Sequence, residues 1–418
     1  MSDCKDKTVL IRDYGKFGPM VAERLAREFG RTLLFIQWER EFPMPLDFHV
    51  GEGIPGVEKV DDFWAVLDEV DVFVFTDLYE PGLQQHLRNL GKAVWGNGYA
   101  ERIETDRWAF RQWLKDKKMP RWNTKKVIGM DQLREALKIE DDVYVKISKF
   151  RGAKETFGSP NYHLVEQDLN ELEHNLGIFA KTQEFIIDSK IEGQECGVDI
   201  FTVDGKYPSI AEWGFEVKDE AYLATVVPYE KMPKELRYVN DMLSPEFQKY
   251  GARGFFGTEV RIAKDGRPYF IDPAIRSCFP PLESLLESFS NWGDIILHGA
   301  SGEMITPKPV AKYFALARMH SESSTDTSYP IDIEEKDRQW VKMPDFTIIG
   351  KDIYVLPRRK DWDVVGTVVG RGETPQAAID DCTKRADRIS GVKLKVSTKE
   401  LSYGMECIAE AKKNGVNF

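Results

Sequence analysis

Residues 255–281 read FFGTEVRIAKDGRPYFIDPAIRSCFPP, and this stretch decides the fold of the middle of the chain. Two apolar segments flank an Asp-Gly turn, a pattern typical of a β-hairpin. The hairpin would place Glu259 and Asp272 on neighbouring strands. Such paired carboxylates suit Mg²⁺, which prefers oxygen ligands and bridges nucleotide phosphates. Arg276, shortly after Asp272, would then meet a phosphate or an oxyanion. The alternative is an ordinary surface ion pair in a hairpin.

Upstream, residues 143–157 read VYVKISKFRGAKETF, an apolar strand followed by a short basic loop. The strand would direct Lys146 inward, and the loop contains Gly152 and Lys154. An ammonium group and loop amides together can bind a polyphosphate, because both offset its negative charge. The alternative is a solvated basic turn.

Between these two segments, residues 184–207 read EFIIDSKIEGQECGVDIFTVDGKY. The pattern predicts a strand, a polar pivot and a second strand ending in a tight turn. An adenine pocket needs exposed backbone at a strand end, apolar walls and a carboxylate for the ribose hydroxyls. Asp188 and Glu195 could supply the polar contacts. The alternative is a two-stranded connection whose acidic side chains face water.

An amphipathic helix is predicted from Ile103 to Lys118, ending before Pro120. Arg107 lies in its first turn and could reach a phosphate. A solvated or paired charge is the ordinary interpretation of an arginine on a helix.

The first hundred residues alternate short apolar runs with helical patterns, which predicts parallel strands joined by crossover helices. The turns Asp13–Gly18 and Asp77–Gly82 follow strands, at the carboxyl edge where open α/β folds bind ligands. The order GxGxxG is missing, so a dehydrogenase is a remote alternative. The strands are Thr8–Ile11, Leu33–Gln37, Val72–Phe75 and Ala93–Trp95, with helices Met20–Phe29 and Leu83–Leu90.

The remaining strands predict antiparallel pairing and hence an α+β fold rather than a second parallel unit. A loop is predicted at Ser321–Tyr329 and a last helix at Lys399–Asn414. The strands are Thr124–Val127, Val143–Ser148, Phe185–Ile187, Glu195–Val203, Gly257–Ile262 and Tyr269–Ile271, with a helix at Met130–Ile139.

Length and composition exclude several classes of protein. A chain of 418 residues exceeds what one hydrophobic core serves. The net charge of −11 argues against broad binding to nucleic acid or to anionic membranes. The five cysteines form no zinc-binding spacing, and no apolar stretch approaches a membrane span or a signal peptide. We therefore expect a cytoplasmic, soluble protein with reduced thiols; a homo-oligomer is compatible with this composition.

Taken together, these motifs resemble the ATP-grasp superfamily, and their layout is most similar to phosphoribosylamine–glycine ligase. The helix segment ETDRWAFRQWLKDKKMP and the C-terminal segment GTVVGRGETPQAAIDDC occur in the expected order. The resemblance implies an α/β and α+β architecture with three domains. These are an N-terminal parallel α/β domain at 1–102, an ATP-grasp domain at 103–305 with its lid at 120–190, and a C-terminal domain at 306–418.

The resemblance also implies roles for single residues, grouped by what they would bind. Two groups would contact magnesium or the reacting phosphate: Glu259 and Asp272 as ligands of Mg²⁺ or alternatively Mn²⁺, and Arg276 together with Lys146 in catalysis. The nucleotide ATP would be bound by Arg107, Lys146, Lys154, Asp188, Ile191 and Glu195.

The implied reaction is an ADP-forming ligation of a small-molecule carboxylate to an amine through an acyl phosphate. The chain departs from the family pattern at three positions. Ala274 replaces an asparagine that binds metal, Asp272 replaces a glutamate, and RSCFPP replaces the segment expected for glycine. The alternative is therefore an ATP-binding regulator or scaffold, for which Ala274 is the main support. The segment with Trp213, Glu216 and Lys218 would line an acceptor pocket or form an ordinary strand and turn.

Overall fold

The computed structural model describes residues 3–14, 17–37, 49–149, 156–324, 327–357, 363–413, 415–416 and 418. The chain divides into two compact units, each assembled from separate segments. Unit 1 comprises Met1–Ala100, Glu195–Glu259 and Ala274–Phe418, and unit 2 comprises Glu101–Gln194 and Val260–Pro273. The three predicted domain boundaries stay predictions.

The N-terminal segment of unit 1 forms the predicted parallel sheet. Its elements are β1 (Thr8–Asp13), α1 (Gly18–Leu25), β2 (Arg31–Ile36), β3 (Val57–Lys59), β4 (Val72–Phe75), α2 (Pro81–Asn89) and β5 (Ala93–Trp95). The strand order is β3-β2-β1-β4-β5, and the paired strands are parallel. Strand β4, VFVF, is buried along its whole length, because a parallel sheet is covered on both faces.

Unit 2 contains a smaller antiparallel sheet with the order β6-β9-β7-β8. Its elements are α3 (Arg102–Thr105), α4 (Arg107–Asp116), β6 (Thr124–Ile128), α5 (Gly129–Leu137), β7 (Val143–Ile147), β8 (Thr156–Ser159), α6 (Tyr162–Leu176) and β9 (Glu184–Ser189). The apolar faces of α5 and α6 pack on this sheet, with Leu133, Leu169 and Phe185 fully buried.

One helix prediction in this region is wrong, since the segment 103–118 contains two helices rather than one. The break falls at Asp106, whose backbone is extended and whose carboxylate accepts a hydrogen bond from the amide of Ala109. An aspartate in this geometry caps the helix that follows. The chain therefore starts a new helix at Arg107.

The remaining elements form the large sheet and a second small sheet. They are β10 (Gln194–Val203), β11 (Ile210–Val217), β12 (Ala221–Pro228), α7 (Lys234–Tyr250), β13 (Arg253–Ile262), β14 (Pro268–Ala274), α8 (Leu282–Ser288), α9 (Trp292–Ala300), β15 (Tyr313–Ser321), β16 (Tyr329–Asp332), β17 (Val341–Lys342), β18 (Phe346–Ile349), β19 (Asp352–Val355), β20 (Val364–Gly372), α10 (Pro375–Ala386), β21 (Ser390–Gly391), β22 (Leu394–Val396) and α11 (Glu400–Lys413). The large sheet has the order β14-β13-β10-β11-β12-β15-β20-β17, with β22 also paired to β15. The other sheet has the order β18-β19-β16-β21.

Aromatic side chains fill the core of unit 1. Trp292 on α9 has its ring centroid 5.8 Å from that of Phe201 and 5.2 Å from that of Phe255. Trp95 at the end of β5 lies 5.5 Å from Phe201. Burial of such rings is the largest apolar contribution that single side chains make to a core.

Two predictions from composition can be compared with the structure. All five cysteines are free thiols. Among the described residues, no helix combines the length and the apolar character that crossing a lipid bilayer requires.

Candidate active site

Lys146 lies near the end of β7 in unit 2, and 5% of its side chain is exposed. Its Nζ atom is 2.5 Å from Oδ2 of Asp272 on β14, which is a short, charge-assisted hydrogen bond. The two residues are 126 positions apart in the chain. The structure thus brings together the predicted phosphate-binding lysine and one of the predicted metal ligands.

Arg107, the first residue of α4, contacts the same cluster. Its backbone amide donates to the carbonyl of Ser148 at 2.9 Å, and its Nη1 atom donates to the carbonyl of Ile147 at 2.7 Å. Its Nε atom lies 4.0 Å from Oδ1 of Asp272. The N-terminus of α4 is therefore fixed against the end of β7, with the Arg107 side chain 3% exposed.

Arg111 is a member of this cluster that the sequence interpretation missed. Its Nη2 atom donates to Asp188 at 2.8 Å and lies 3.7 Å from Oδ1 of Asp272. Its Nη1 atom donates to the carbonyl of Ile271 at 3.0 Å. Arg111 follows Arg107 by four residues, so the two share one face of α4. This spacing of four residues is the feature of the sequence that could have predicted a role for Arg111 beside Arg107.

Asp188, the predicted hinge residue at the end of β9, is held from two sides. The hydroxyl of Thr124 donates to it at 2.7 Å, and Arg111 donates to both carboxylate oxygens. Burial acts to raise the pKa of Asp188. The charges of Arg111 and Lys146 and the two sets of hydrogen bonds outweigh this, so the pKa lies below its ordinary value of 3.8. Asp188 is therefore an anion at neutral pH.

The charged side chains of this cluster do not cancel. Arg107, Arg111 and Lys146 carry three positive charges, whereas Asp188 and Asp272 carry two negative ones. All five are poorly accessible to water, since each exposes at most 14% of its side chain. A net positive charge of this kind suits a phosphate group. Asp272 itself faces three cations, and their positive charge disfavours a metal ion at its carboxylate.

The predicted hinge segment after Asp188 is held by backbone contacts within unit 2. Nη1 of Arg261 donates to the carbonyl of Ile191 at 2.8 Å. Gly193 has φ +142°, and a Cβ atom there would lie 2.3 Å from the carbonyl oxygen of Ile262. Only glycine fits this close approach. Lys154 falls in the segment 150–155, outside the described residues.

In unit 1, Glu195 and Glu259 share an electrostatic environment with two residues of β11 and the turn after it. Glu216 makes the largest contribution to raising the pKa of Lys218 above its ordinary value; burial opposes it, and Glu259 and Glu195 add to it. Glu259 is exposed. Glu216 and Lys218 therefore lie within electrostatic range of two predicted site residues. Trp213 instead lies in the core, with its ring centroid 5.5 Å from that of Phe215.

The carboxylates around Glu259 supply oxygen donors of the kind that magnesium prefers. Carboxylate oxygens are hard donors, and Glu259 is open to water. Within the described parts of the chain, no three Asp, Glu, His or Cys side chains converge closely enough to hold a metal by themselves. Magnesium characteristically takes one or two carboxylates and completes its shell with water and phosphate oxygens, so Glu259 fits as such a ligand.

Arg276 lies with the two turns of the parallel sheet in unit 1. Its Nε atom is 3.7 Å from Oδ1 of Asp77, and its guanidinium carbon lies 5.8 Å from the ring centroid of Phe17. The amide of Ser277 donates to the carbonyl of Thr76 at 3.1 Å. The structure thus places the predicted catalytic arginine at the carboxyl edge of β4, where the predicted ligand-binding turn begins.

Asp13, at the end of β1, has a structural role in that edge. It is buried, and it accepts hydrogen bonds from the amide of Phe17 at 3.2 and 3.3 Å and from the hydroxyl of Thr76. Tyr79 stands in the next turn with φ +78° and half of its surface exposed. Left-handed backbone at a non-glycine residue is costly and is concentrated at binding sites.

Comparison with known proteins gave matches among solved structures. No protein-family model matches the chain, and no curated protein does. Phosphoribosylamine–glycine ligase from Thermotoga maritima superposes with a TM-score of 0.71 at 14% identity, over 93% of this chain and 98% of that chain. The biotin carboxylase domain of 2-oxoglutarate carboxylase from Hydrogenobacter thermophilus, solved with MgADP and bicarbonate, gives 0.66 at 12%, over 98% of both chains.

A third structure, the L-amino acid ligase from Bacillus licheniformis, gives a TM-score of 0.62 at 16% identity, over 93% of this chain and 99% of that chain. All three are ATP-grasp enzymes. Their parallel N-terminal sheet and antiparallel sheets match those of this chain. The fold of this protein is therefore the ATP-grasp fold, as the motifs in its sequence predict.

Proposed function

We propose that this protein is an ATP-dependent, ADP-forming ligase that joins a small-molecule carboxylate to an amine. The observation that carries the proposal is the buried cluster in unit 2, where Arg107, Arg111 and Lys146 outnumber Asp188 and Asp272. A net positive charge removed from water binds a polyphosphate strongly. The fold supports the proposal, since two of the matched structures are named as ligases and one was solved with MgADP.

Lys146 and Arg107 would hold the phosphates of ATP in this reaction. On binding, the terminal phosphates would take over part of the hydrogen bonding that Asp272 now provides to Lys146. Asp188 and Glu195 would contact the nucleoside, and Ile191 and Lys154 would contribute as the sequence resemblance implies. Glu259 would hold magnesium, which offsets phosphate charge when bound; Asp272 stays a weaker prediction as a second ligand.

The chemistry consists of two displacements. A carboxylate oxygen of the first substrate attacks the γ-phosphorus, forming an acyl phosphate while the bond to ADP breaks. The amine then attacks the acyl carbon, inorganic phosphate leaves, and the amine loses a proton. Positioning and charge supply most of the rate for such phosphoryl transfer, so no nucleophilic side chain is needed.

Arg276 is the residue of unit 1 that we assign to stabilising the developing charge. Its guanidinium is held by contacts with Asp77 and Phe17. A cation that is already in position stabilises the charge of a transition state at no further cost of rearranging the protein. The carboxyl edge of the parallel sheet would admit the second substrate, since open α/β sheets bind ligands there.

The test is release of ADP from Mg²⁺-ATP with a panel of carboxylates, each with and without amines. Lys146→Met is expected to abolish ADP release, and the exposed Lys181→Met is the matched control that should retain it. Release of AMP instead of ADP would contradict the acyl-phosphate route.

A second candidate function is an ATP-binding regulator that no longer turns substrate over, favoured by Ala274 in place of a metal-binding asparagine. Calorimetry separates the two. ADP that binds the protein, without any substrate-dependent release from ATP across the panel, would support the regulator. Binding that survives in Lys146→Met would contradict the assigned phosphate site in both cases.

A further inference from the structure

A cavity of about 300 Å³ lies beside α4 and the start of β6 in unit 2. None of the residues predicted to bind ATP or magnesium lines it. The cavity is at the lower end of the size range of small-molecule sites, roughly 300–1,000 Å³. Its lining consists of Trp108, Arg111, Gln112, Leu114, Lys115, Arg121, Trp122 and Thr124.

Two indole rings give this cavity flat, apolar surface. Trp122 is stacked on one side by Arg111, whose guanidinium carbon lies 4.7 Å from the ring centroid. The Nε1 atom of Trp122 is buried and has no hydrogen-bond acceptor among the described residues. A buried indole N–H ordinarily finds a partner, and leaving it without one is unfavourable. An acceptor atom on a bound molecule would satisfy it.

The charged side chains that line the cavity are all basic. Lys115 and Arg121 have no ion-pair partner in the part of the chain that the structure describes, and no aspartate or glutamate lines the cavity there. Lys126 also lies nearby, with its Nζ atom 5.6 Å from the ring centroid of Trp108, but it is already paired with Glu184 at 3.5 Å. An exposed lysine on a helix is usually just solvated. Two unpaired cations beside a donor that needs an acceptor indicate a negatively charged ligand.

A second, larger cavity of about 500 Å³ in unit 1 is also lined by basic residues, but these have partners within the protein. There Arg253 is paired with both oxygens of Asp204 at 2.8 and 2.9 Å and donates to the carbonyl of Ala300. Arg88 donates to the carbonyl of Gly96 at 2.6 Å. These arginines bind the ends of helices and strands, which explains their presence without a ligand.

We infer that the cavity of unit 2 binds a small molecule that combines a flat aromatic body with a phosphate or carboxylate group. The aromatic body would stack on Trp122 or Trp108. The anionic group would accept from the indole N–H of Trp122 and lie between Lys115 and Arg121. The cavity shares Arg111 with the buried cluster, but none of the residues proposed to contact ATP or magnesium lines it. It would therefore bind its ligand whether or not the ligase activity is correct.

Phenyl phosphate is a probe with this chemistry, and its binding can be measured by calorimetry in the presence of saturating MgADP. Inorganic phosphate carries only the anionic group of the probe, and benzyl alcohol carries only its aromatic ring. We expect phenyl phosphate to bind at least about tenfold more tightly than either, because its ring can stack while its phosphate accepts charge-assisted hydrogen bonds. An aryl carboxylate, benzoate, tests which anionic group is preferred.

The variant Lys115→Glu/Arg121→Glu reverses both charges and is expected to weaken phenyl phosphate at least about tenfold. Lys181→Glu/Lys264→Glu makes the same change of net charge at exposed positions of unit 2 away from the cavity, and should bind the probe like the parent. Trp122→Phe keeps the flat surface and removes the N–H donor, so it should bind about fivefold more weakly.

A urea unfolding midpoint equal to that of the parent shows that a variant is folded. Equal affinity of the parent and Lys115→Glu/Arg121→Glu for the probe would overturn the inference. So would equal affinity for phenyl phosphate and inorganic phosphate, or no binding of the probe at about 10 mM, a concentration above the Kd of weak specific ligands.

Discussion

Arg111 and Asp188 form an ion pair that exposes only 2% and 5% of their side chains. Removing one partner of such a pair leaves an uncompensated charge in a poorly hydrated place, which costs about 3–5 kcal/mol. We therefore expect Arg111→Met to lower the free energy of unfolding by about this amount, measured by urea titration at pH 7.

The matched control is Arg134→Met. Arg134 pairs with Glu173 on the surface of the same unit, where Glu173 is 46% exposed. Exposed pairs contribute about 0–1 kcal/mol, so this variant should unfold almost like the parent. Equal losses of unfolding free energy in Arg111→Met and Arg134→Met would show that the buried pair stabilises the fold no more than the surface pair does.

Glu212 on β11 is a second residue whose burial has a measurable consequence. Burial raises its pKa to about 7, although the hydroxyls of Ser284 and Ser288 donate to it and act in the opposite direction. Below about pH 4.5, the folded and the unfolded chain both carry the proton. As pH rises from there to about 7, the folded state retains a proton that the unfolded state has lost, so stability falls.

We expect Glu212→Gln to remove this part of the pH dependence. Glutamine stays neutral; its Oε1 atom can accept from one of the two serine hydroxyls, and its Nε2 atom can donate to the other. The raised pKa corresponds to about 3 kcal/mol, so the variant should be more stable than the parent at pH 8 by up to that amount and close to it at pH 4.5. Urea titrations at both pH values test this; parallel shifts at the two values would refute the protonation argument.

At the scale of elements, β11 and β12 pack with no room for a side chain at one position. A Cβ atom at Gly214 would lie 2.2 Å from the carbonyl oxygen of Leu223 and 2.7 Å from the ring of Tyr222. Backbone cannot yield as a flexible side chain does, so the strands would have to separate. Gly214→Ala is expected to cost about 3 kcal/mol or more of unfolding free energy.

Gly82 in α2 provides the opposite case. A Cβ atom there would have the hydroxyl of Tyr99, 3.9 Å away, as its nearest neighbour. Alanine favours a helix over glycine by about 0.5–1 kcal/mol, so Gly82→Ala should be neutral or stabilising when both glycine variants are unfolded by urea titration. A destabilised Gly82→Ala would mean that backbone restriction, rather than crowding, explains both results.

Helix α4 is the element that organises the candidate site. Because Asp106 caps a new helix, Arg107 occupies its first turn and Arg111 the next. Both guanidinium groups therefore meet the carboxylates of unit 2, and Arg111 also lines the cavity together with Trp108 and Lys115. One short helix serves the proposed ATP site and the proposed anion site together.

For the molecule as a whole, the net charge of −11 opposes association with polyanions. In unit 2, surface cations such as Lys125, Arg134 and Lys138 are paired with glutamates. We expect no retardation of duplex DNA in gel-shift experiments with about 10 µM protein at 0.15 M salt, since nonspecific binding depends on many phosphate contacts. Salt-dependent retardation under these conditions would contradict this expectation.

The sequence by itself determined the classes of element and the candidate residues. Apolar runs alternating with helical patterns predicted the parallel sheet, and the Asp-Gly turn predicted the hairpin with Glu259 and Asp272. These signals are local, because the burial of a strand or of one helix face produces a pattern of apolar residues over a few neighbouring positions. Their order along the chain was enough to predict the ATP-grasp fold that the structure confirms.

Only the tertiary structure decided which side chains meet. Lys146 and Asp272 are 126 residues apart, Arg111 and Asp188 are 77 apart, and Glu212 and Ser284 are 72 apart. No local pattern distinguishes an arginine that will be buried against a carboxylate from one that will face water. Burial and pairing depend on the path of the whole chain, which returns Val260–Pro273 to the unit that Glu101–Gln194 begins.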